Sequence, residues 1–142
     1  MPNIVGRIDR IERIDGIGNL KRLRILDLDH NHIESIDELG GLTDLEKLEL
    51  DDNQITSVDA LSGLTKLRML SLRSNDISEL PKQMNMPDLE QLYLGRNKIS
   101  DINIIENCSK LNVLDISTNS FNRTPEILGR MTSITKLGIG SN

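Results

Sequence analysis

The chain has 142 residues with one Tyr, one Phe and no Trp, so its core has to be aliphatic and no row of aromatic rings is available for stacking nucleobases. Its 22 acidic and 17 basic residues give a formal charge of -5, the wrong sign for a nucleic-acid or anionic-membrane surface and the right one for a basic protein partner. The single cysteine, Cys108, cannot close an internal disulfide, which favours a reducing compartment.

In the amino-terminal stretch MPNIVGRIDRIERIDGIG, charges alternate with isoleucines and no apolar run is long enough for a signal or a membrane span. The reading is an intracellular chain, cytoplasmic or nuclear. Ile11, Ile14, Ile17 and Leu20 follow one another at every third position. Residues 1–22 are therefore expected to form a degenerate first coil beginning near Ile4, with Gly6 and Asp9 in columns that later hold Leu and Asn.

From Leu23 the chain repeats itself. Starts at Leu23, Leu45, Leu67, Leu89 and Leu111 are 22 residues apart, and Ile134 follows after 23. In frame they read LRILDLDHNHI, LEKLELDDNQI, LRMLSLRSNDI, LEQLYLGRNKI, LNVLDISTNSF and ITKLGIGSN, all on L-x-x-L-x-L-x-x-N-x-[IF]. The L-x-L alternation predicts a short strand with Leu26 and Leu28 on one side and Asp27 on the other. One repeat cannot enclose its own leucines, so neighbours must stack, and the strands then form a parallel sheet with rungs about 4.8 Å apart.

Asn31, Asn53, Asn75, Asn97, Asn119 and Asn142 share one column, where the chain must bend away from the strand. An amide side chain supplies donors and an acceptor to backbone groups that the bend leaves unpaired. After each Asn, apolar residues recur every third position, as in Ile33, Ile36, Leu39, Leu42 and Leu45, a period that suits 3₁₀ turns or extended arcs. The pairs Leu80-Pro81 and Met86-Pro87 argue against a helical turn on the arc after Asn75. Cys108 falls in the column of Leu42, Leu64 and Met86, and Phe121 in that of Ile33 and Ile55, so both are assigned to packing. The whole of 1–142 reads as one domain. The repeat at Ile134 is partial, and two readings stand for its open edge: the natural chain continues, or the edge pairs end to end with another chain.

His30-Asn31-His32 has the look of a metal or nuclease cluster, but its counterparts Asp52-Asn53-Gln54, Ser74-Asn75-Asp76 and Arg96-Asn97-Lys98 show the flanking positions to be variable. The histidines are expected in solvent. There is no phosphate loop, H-E-x-x-H, G-x-S-x-G or Cys/His ligand set. The expectation is a non-enzyme without metal or cofactor. Two glycosylation sequons, at Asn107 and Asn122, are discounted, the first because it places Cys108 in the core.

Strand alternation aims the third, fifth and seventh repeat positions at the open side of the sheet, with the eighth at its rim. An acidic group gathers there on the early rungs: Asp27, Asp29, Glu49, Asp51 and Asp52. Like charges on adjacent strands repel and attract Lys or Arg of a partner. Tyr93 is the only aromatic on that side, among Met69, Arg73, Arg96, Val113 and Asp115, and Tyr with Arg makes an interface anchor.

The repeating consensus, as in LEKLELDDNQITSVDALSGLTKL and ENCSKLNVLDISTN, resembles the leucine-rich repeat, and its 22-residue period is similar to the subclass typified by the regulatory subunit of protein phosphatase 1. The resemblance covers residues 11–142. It implies an α/β solenoid with a curved parallel sheet on the concave side and 3₁₀ or extended arcs on the convex side, and an intracellular, non-enzymatic protein that binds a protein partner on the concave face. Carried over, the contact columns include Asp29, Asp51, Arg73 and Tyr93. That regulatory subunit displays several concave aromatics, whereas this chain has Tyr93 alone. DALSGLTKLRMLSL is similar to bacterial internalins as well, which implies an alternative, a surface or secreted adhesin.

Overall fold

The structure is a computed structural model that describes residues 10–142; the expected beginning of the first coil, with Gly6 and Asp9, lies outside them. Six three-residue strands, β1 (Ile25–Asp27), β2 (Lys47–Glu49), β3 (Met69–Ser71), β4 (Gln91–Tyr93), β5 (Val113–Asp115) and β6 (Lys136–Gly138), form one parallel sheet in sequence order. Register is unslipped: Leu26, Leu48, Leu70, Leu92, Leu114 and Leu137 stand opposite one another in turn. Each turn of chain beginning with a strand is one rung, numbered with its strand. Behind the sheet lies a continuous aliphatic core, with Leu48, Leu50, Leu92 and Leu94 at 0% exposure. Phe121 and Cys108 are buried in it, and burial pushes the Cys108 thiol up to about 11.

The asparagine column fastens rung to rung. Asn53 Oδ1 accepts the N–H of Ile33 on the preceding rung at 3.0 Å, while its Nδ2 donates to the carbonyls of Leu28 (3.0 Å), Leu50 (3.2 Å) and Asp51 (3.3 Å). Asn75, Asn97 and Asn119 repeat the pattern. From rung 1 to rung 5 each sixth-position carbonyl is therefore gripped by two asparagines, as Leu50 by Asn53 and Asn75 and Leu72 by Asn75 and Asn97. The residue before each Asn turns the chain through the left-handed region, with φ between 52° and 59° at His30, Asp52, Ser74, Arg96, Thr118 and Ser141. None is glycine, and each pays the Cβ–carbonyl crowding of that region.

The convex arcs carry 3₁₀ turns at Ile17–Asn19, Asp37–Gly41, Asp59–Gly63, Asn103–Asn107 and Glu126–Arg130. The arc after Asn75 has none, as its prolines require. There the triplet rhythm slips: Leu80 is half-buried, while Pro81 and Met84 turn inward. In the first coil, Ile14 packs into the core but Ile11 and Leu20 are 46% and 54% exposed. Its backbone still joins the stack, Ile11 N–H donating to Asn31 Oδ1 at 2.9 Å and His32 N–H to the Ile11 carbonyl at 2.8 Å.

On the outer rim, ion pairs link successive rungs: Arg24–Glu46 and Arg68–Glu90 at 2.7 Å, Lys66–Asp44 and Lys110–Asp88 at 2.6 Å. Among the described residues, no helix is long and apolar enough to cross a membrane.

Candidate functional site

The sheet presents its third, fifth and seventh columns on one open face. Register sets Asp27 beside Glu49 and Ser71 beside Tyr93. The acidic residues are not idle charges in water: the seventh-position N–H of a rung points at the preceding rung, and a carboxylate there receives it. Asp51 N–H donates to Asp29 Oδ1 at 2.6 Å and Arg73 N–H to Asp51 Oδ1 at 2.8 Å. Asp27 Oδ1 accepts the N–H of Asp29 at 3.0 Å. Asp51 is held well inside this ladder: its side chain is 18% exposed and also accepts the Ser71 hydroxyl at 2.6 Å. Asp29 is the electrostatically strained member. Burial foremost, then Asp51, Asp27 and Glu49, raise its carboxyl above the usual value against the N–H of Asp51.

Arg73 joins the acidic column to the aromatic. Its guanidinium lies 4.0 Å from the centroid of the Tyr93 ring, a cation–π contact. Nε donates to Asp115 Oδ2 at 3.2 Å, and Nη1 is 3.9 Å from Asp51 Oδ2. To reach Asp115, Arg73 spans rung 4, whose seventh position is Gly95. A Cβ there would stand 3.1 Å from Asp115 Oδ2, and one at Gly138 would stand 2.8 Å from Oδ1. The two glycines leave the Asp115 carboxylate room to lie flat between rungs. Burial pushes that carboxyl up, but the hydroxyl and N–H of Ser117 and the Arg73 guanidinium outweigh burial and hold it below its ordinary value. Tyr93 donates its hydroxyl to Gln91 Oε1 at 3.0 Å.

Of the ten residues singled out from sequence, Asp51, Arg73, Tyr93 and Asp115 thus form one connected cluster, extended through Asp29 to Asp27. Glu49 pairs with Lys47 at 3.0 Å beside them, and Met69 is half-buried on β3. Asp52 turns to the rim, where it meets His30 Nδ1 at 3.0 Å; Arg96 is exposed at the rim and is not the cation over the ring. His30 and His32 are both exposed. No group of three or more His, Cys, Asp or Glu able to hold a metal occurs among the described residues. Clefts of about 250–360 Å³ occur among the arcs, such as that of Asp101, Phe121 and Arg123, and at the last rung, and no third-, fifth- or seventh-column residue lines them. The concave face is an open surface, suited to a macromolecule.

The sequence carried a readable sign for Gly95 and Gly138, which interrupt columns of larger residues. It carried none for the left-handed eighth position, occupied by five different residue types, or for the reach of Arg73 across 42 residues.

The leucine rich repeat family profile matches residues 11–55 and 21–77. The fold is a leucine-rich-repeat solenoid. An internalin (inlF) from Listeria monocytogenes superposes with a TM-score of 0.85 at 28% identity, over 94% of this chain and 39% of its own. An internalin C2 from the same organism gives 0.87 at 29%, over 91% and 57%. A leucine-rich-repeat protein from Leptospira interrogans gives 0.70 at 28%, over 87% and 38%. The chain thus spans well under two thirds of the length of each. Comparison with curated proteins returns no match. Leucine-rich-repeat folds generally mediate protein–protein interaction.

Proposed function

We propose that this leucine-rich-repeat chain is a non-enzymatic binding scaffold whose concave sheet receives a protein partner bearing a basic patch. The observation that carries the reading is the Arg73 bridge, which makes the early acidic rungs and the single aromatic anchor one continuous surface. On β1, β2 and the residues that follow them, four carboxylates, Asp27, Asp29, Glu49 and Asp51, face one cation, Lys47. An approaching Lys or Arg would offset the repulsion that, after burial, raises Asp29, and the same field steers its approach. Tyr93, held by the Arg73 guanidinium and by Gln91, loses little freedom when a partner covers it.

Two finer roles follow from different features. The resemblance of the repeat to the phosphatase-subunit subclass, with a period that internalins share, supports an intracellular regulatory scaffold, and the buried Cys108 accords with a reducing compartment. The superposition on two Listeria internalins supports the second reading, a surface or secreted adhesin.

The test is affinity capture with wild type beside Tyr93→Ala and Glu49→Lys. Glu49 is chosen over Asp51 because it receives no backbone N–H, so its reversal leaves the ladder intact. Loss of the captured partner in both variants, at unchanged melting temperature, supports the concave site. Equal retention by both variants places the contact elsewhere.

A further inference from the structure

The rungs are not equivalent, since down three columns their chemistry alternates with a period of two. In the third column, Ile25, Met69 and Val113 stand on rungs 1, 3 and 5, and Lys47, Gln91 and Lys136 on rungs 2, 4 and 6. Just before each repeat start and at its second position the charge alternates over rungs 1–4, Arg22 and Arg24, Asp44 and Glu46, Lys66 and Arg68, Asp88 and Glu90; Lys110 continues the first of these columns and Asn112 ends the second. The structure closes this alternation into pairs from rung to rung at 2.6–2.7 Å. Down these columns the unit is therefore two rungs. On its open face that unit sets apolar side chains in a row, Ile25 at 64% exposure and Met69 and Val113 half-buried, with a polar residue between each.

Two rungs span about 9.4–9.8 Å. A polyproline II segment returns a side chain to the same edge every three residues, about 9.3 Å. An α-helix does so every seven, about 10.5 Å, and a β-strand every two, about 6.8 Å, which sets the two contacts after Ile25 nearest Lys47 and Gln91 and misses Met69. Across Ile25, Met69 and Val113 the polyproline II edge drifts by no more than about 1 Å, the helix by about 1.4–2.2 Å.

Resting on the concave face as the partner surface, we infer that its occupant is an extended segment of polyproline II geometry with an apolar side chain at every third residue and Lys or Arg at one end. The charge fixes its direction. The basic end lies over β1 and β2, against Asp27, Glu49 and Asp51, and the apolar edge runs on over Met69 and Val113, with the Tyr93–Arg73 pair as the adjoining wall.

The test uses the full chain and three short synthetic peptides of equal length and net charge without Tyr or Trp. The first is a proline-rich host with leucine every third residue and two terminal lysines, the second has its leucines moved to irregular spacing, and the third is a helical host with leucine every seventh residue. Tyr93 is the only tyrosine and there is no tryptophan, so intrinsic emission reports on the trough, with calorimetry as the second readout. The first peptide is expected to bind about ten-fold or more tightly than the others, equivalent to about 1.4 kcal/mol. Met69→Lys should erase that advantage and Gln91→Lys preserve it, both with native-like melting. Equal binding by all three, or by none, overturns the inference. If all three bind alike and Glu49→Lys weakens them together, the concave face stands as a binding surface while the two-rung match fails.

Discussion

Replacing Asn75 by alanine tests how the rungs are held together. Asn75 is 8% exposed and makes four bonds: Ile55 N–H at 3.0 Å and the carbonyls of Leu50, Leu72 and Arg73 at 2.9, 3.2 and 3.1 Å. The carbonyls each keep another donor, Leu50 from Asn53, Leu72 from Asn97 and Arg73 from the N–H of Asp52. The N–H of Ile55, a residue with no exposed surface, is left with nothing. Orphaning it costs about 1–3 kcal/mol, and thinning three carbonyl partnerships brings the total to about 2–4 kcal/mol. In a domain of this size that lowers the melting temperature by roughly 6–12 °C. Urea unfolding followed by circular dichroism reads the change as a lower midpoint at unchanged slope. Asn142→Ala, at the exposed last rung, serves as the reference and should cost less than about 1 kcal/mol. Asn75→Asp sharpens the test. It keeps the acceptor for Ile55 but turns a carboxylate toward three carbonyls, which raises its folded pKa. The protonated form restores the donor, so the deficit shrinks in acid and grows as pH rises through that value. An Asn75→Ala variant as stable as wild type would refute the ladder.

Thr118, a β-branched residue at φ 52°, should gain about 0.5–1 kcal/mol on replacement by glycine, seen as a higher urea midpoint. Cys108, with its thiol at about 11 and no exposed surface, should resist alkylation at pH 8 in the native state and react promptly in denaturant. Asp29→Asn keeps an acceptor for the Asp51 N–H but removes a charge that the fold disfavours. A raised carboxyl gives its stability below the unfolded value and loses it as pH rises, so the variant should melt higher than wild type at pH 7, by less than about 1 kcal/mol after solvent screening. The difference should vanish near about pH 3, where both carry no charge at this position. A lower melting point at neutral pH would contradict the repulsion.

The strands, their order and register were legible because Leu48, Leu50, Asn53 and Ile55 recur with fixed spacing, and a parallel stack is the one arrangement that buries every copy. The slip at Pro81 and Met84 was not, since a triplet pattern records which residues are apolar and not how a proline-bent arc turns them. The concave columns were legible from alternation, but the partners of Asp51 were not. Its carboxylate answers an N–H of Arg73, 22 residues away, whose direction is fixed by strand geometry and not by any side chain. The two-rung alternation was present in the sequence all along, hidden because a leucine consensus directs the eye along each repeat instead of down its columns.

The most direct measurement is hydroxyl-radical footprinting of the chain with and without its captured partner. Met69 and Tyr93 on the open face are oxidisable reporters, and Met131 on the convex side, half-buried, is the internal reference. Partner binding should protect Met69 and Tyr93 and leave Met131 unchanged. Protection confined to Met131, with Met69 and Tyr93 oxidised as in the free chain, would contradict a concave binding face.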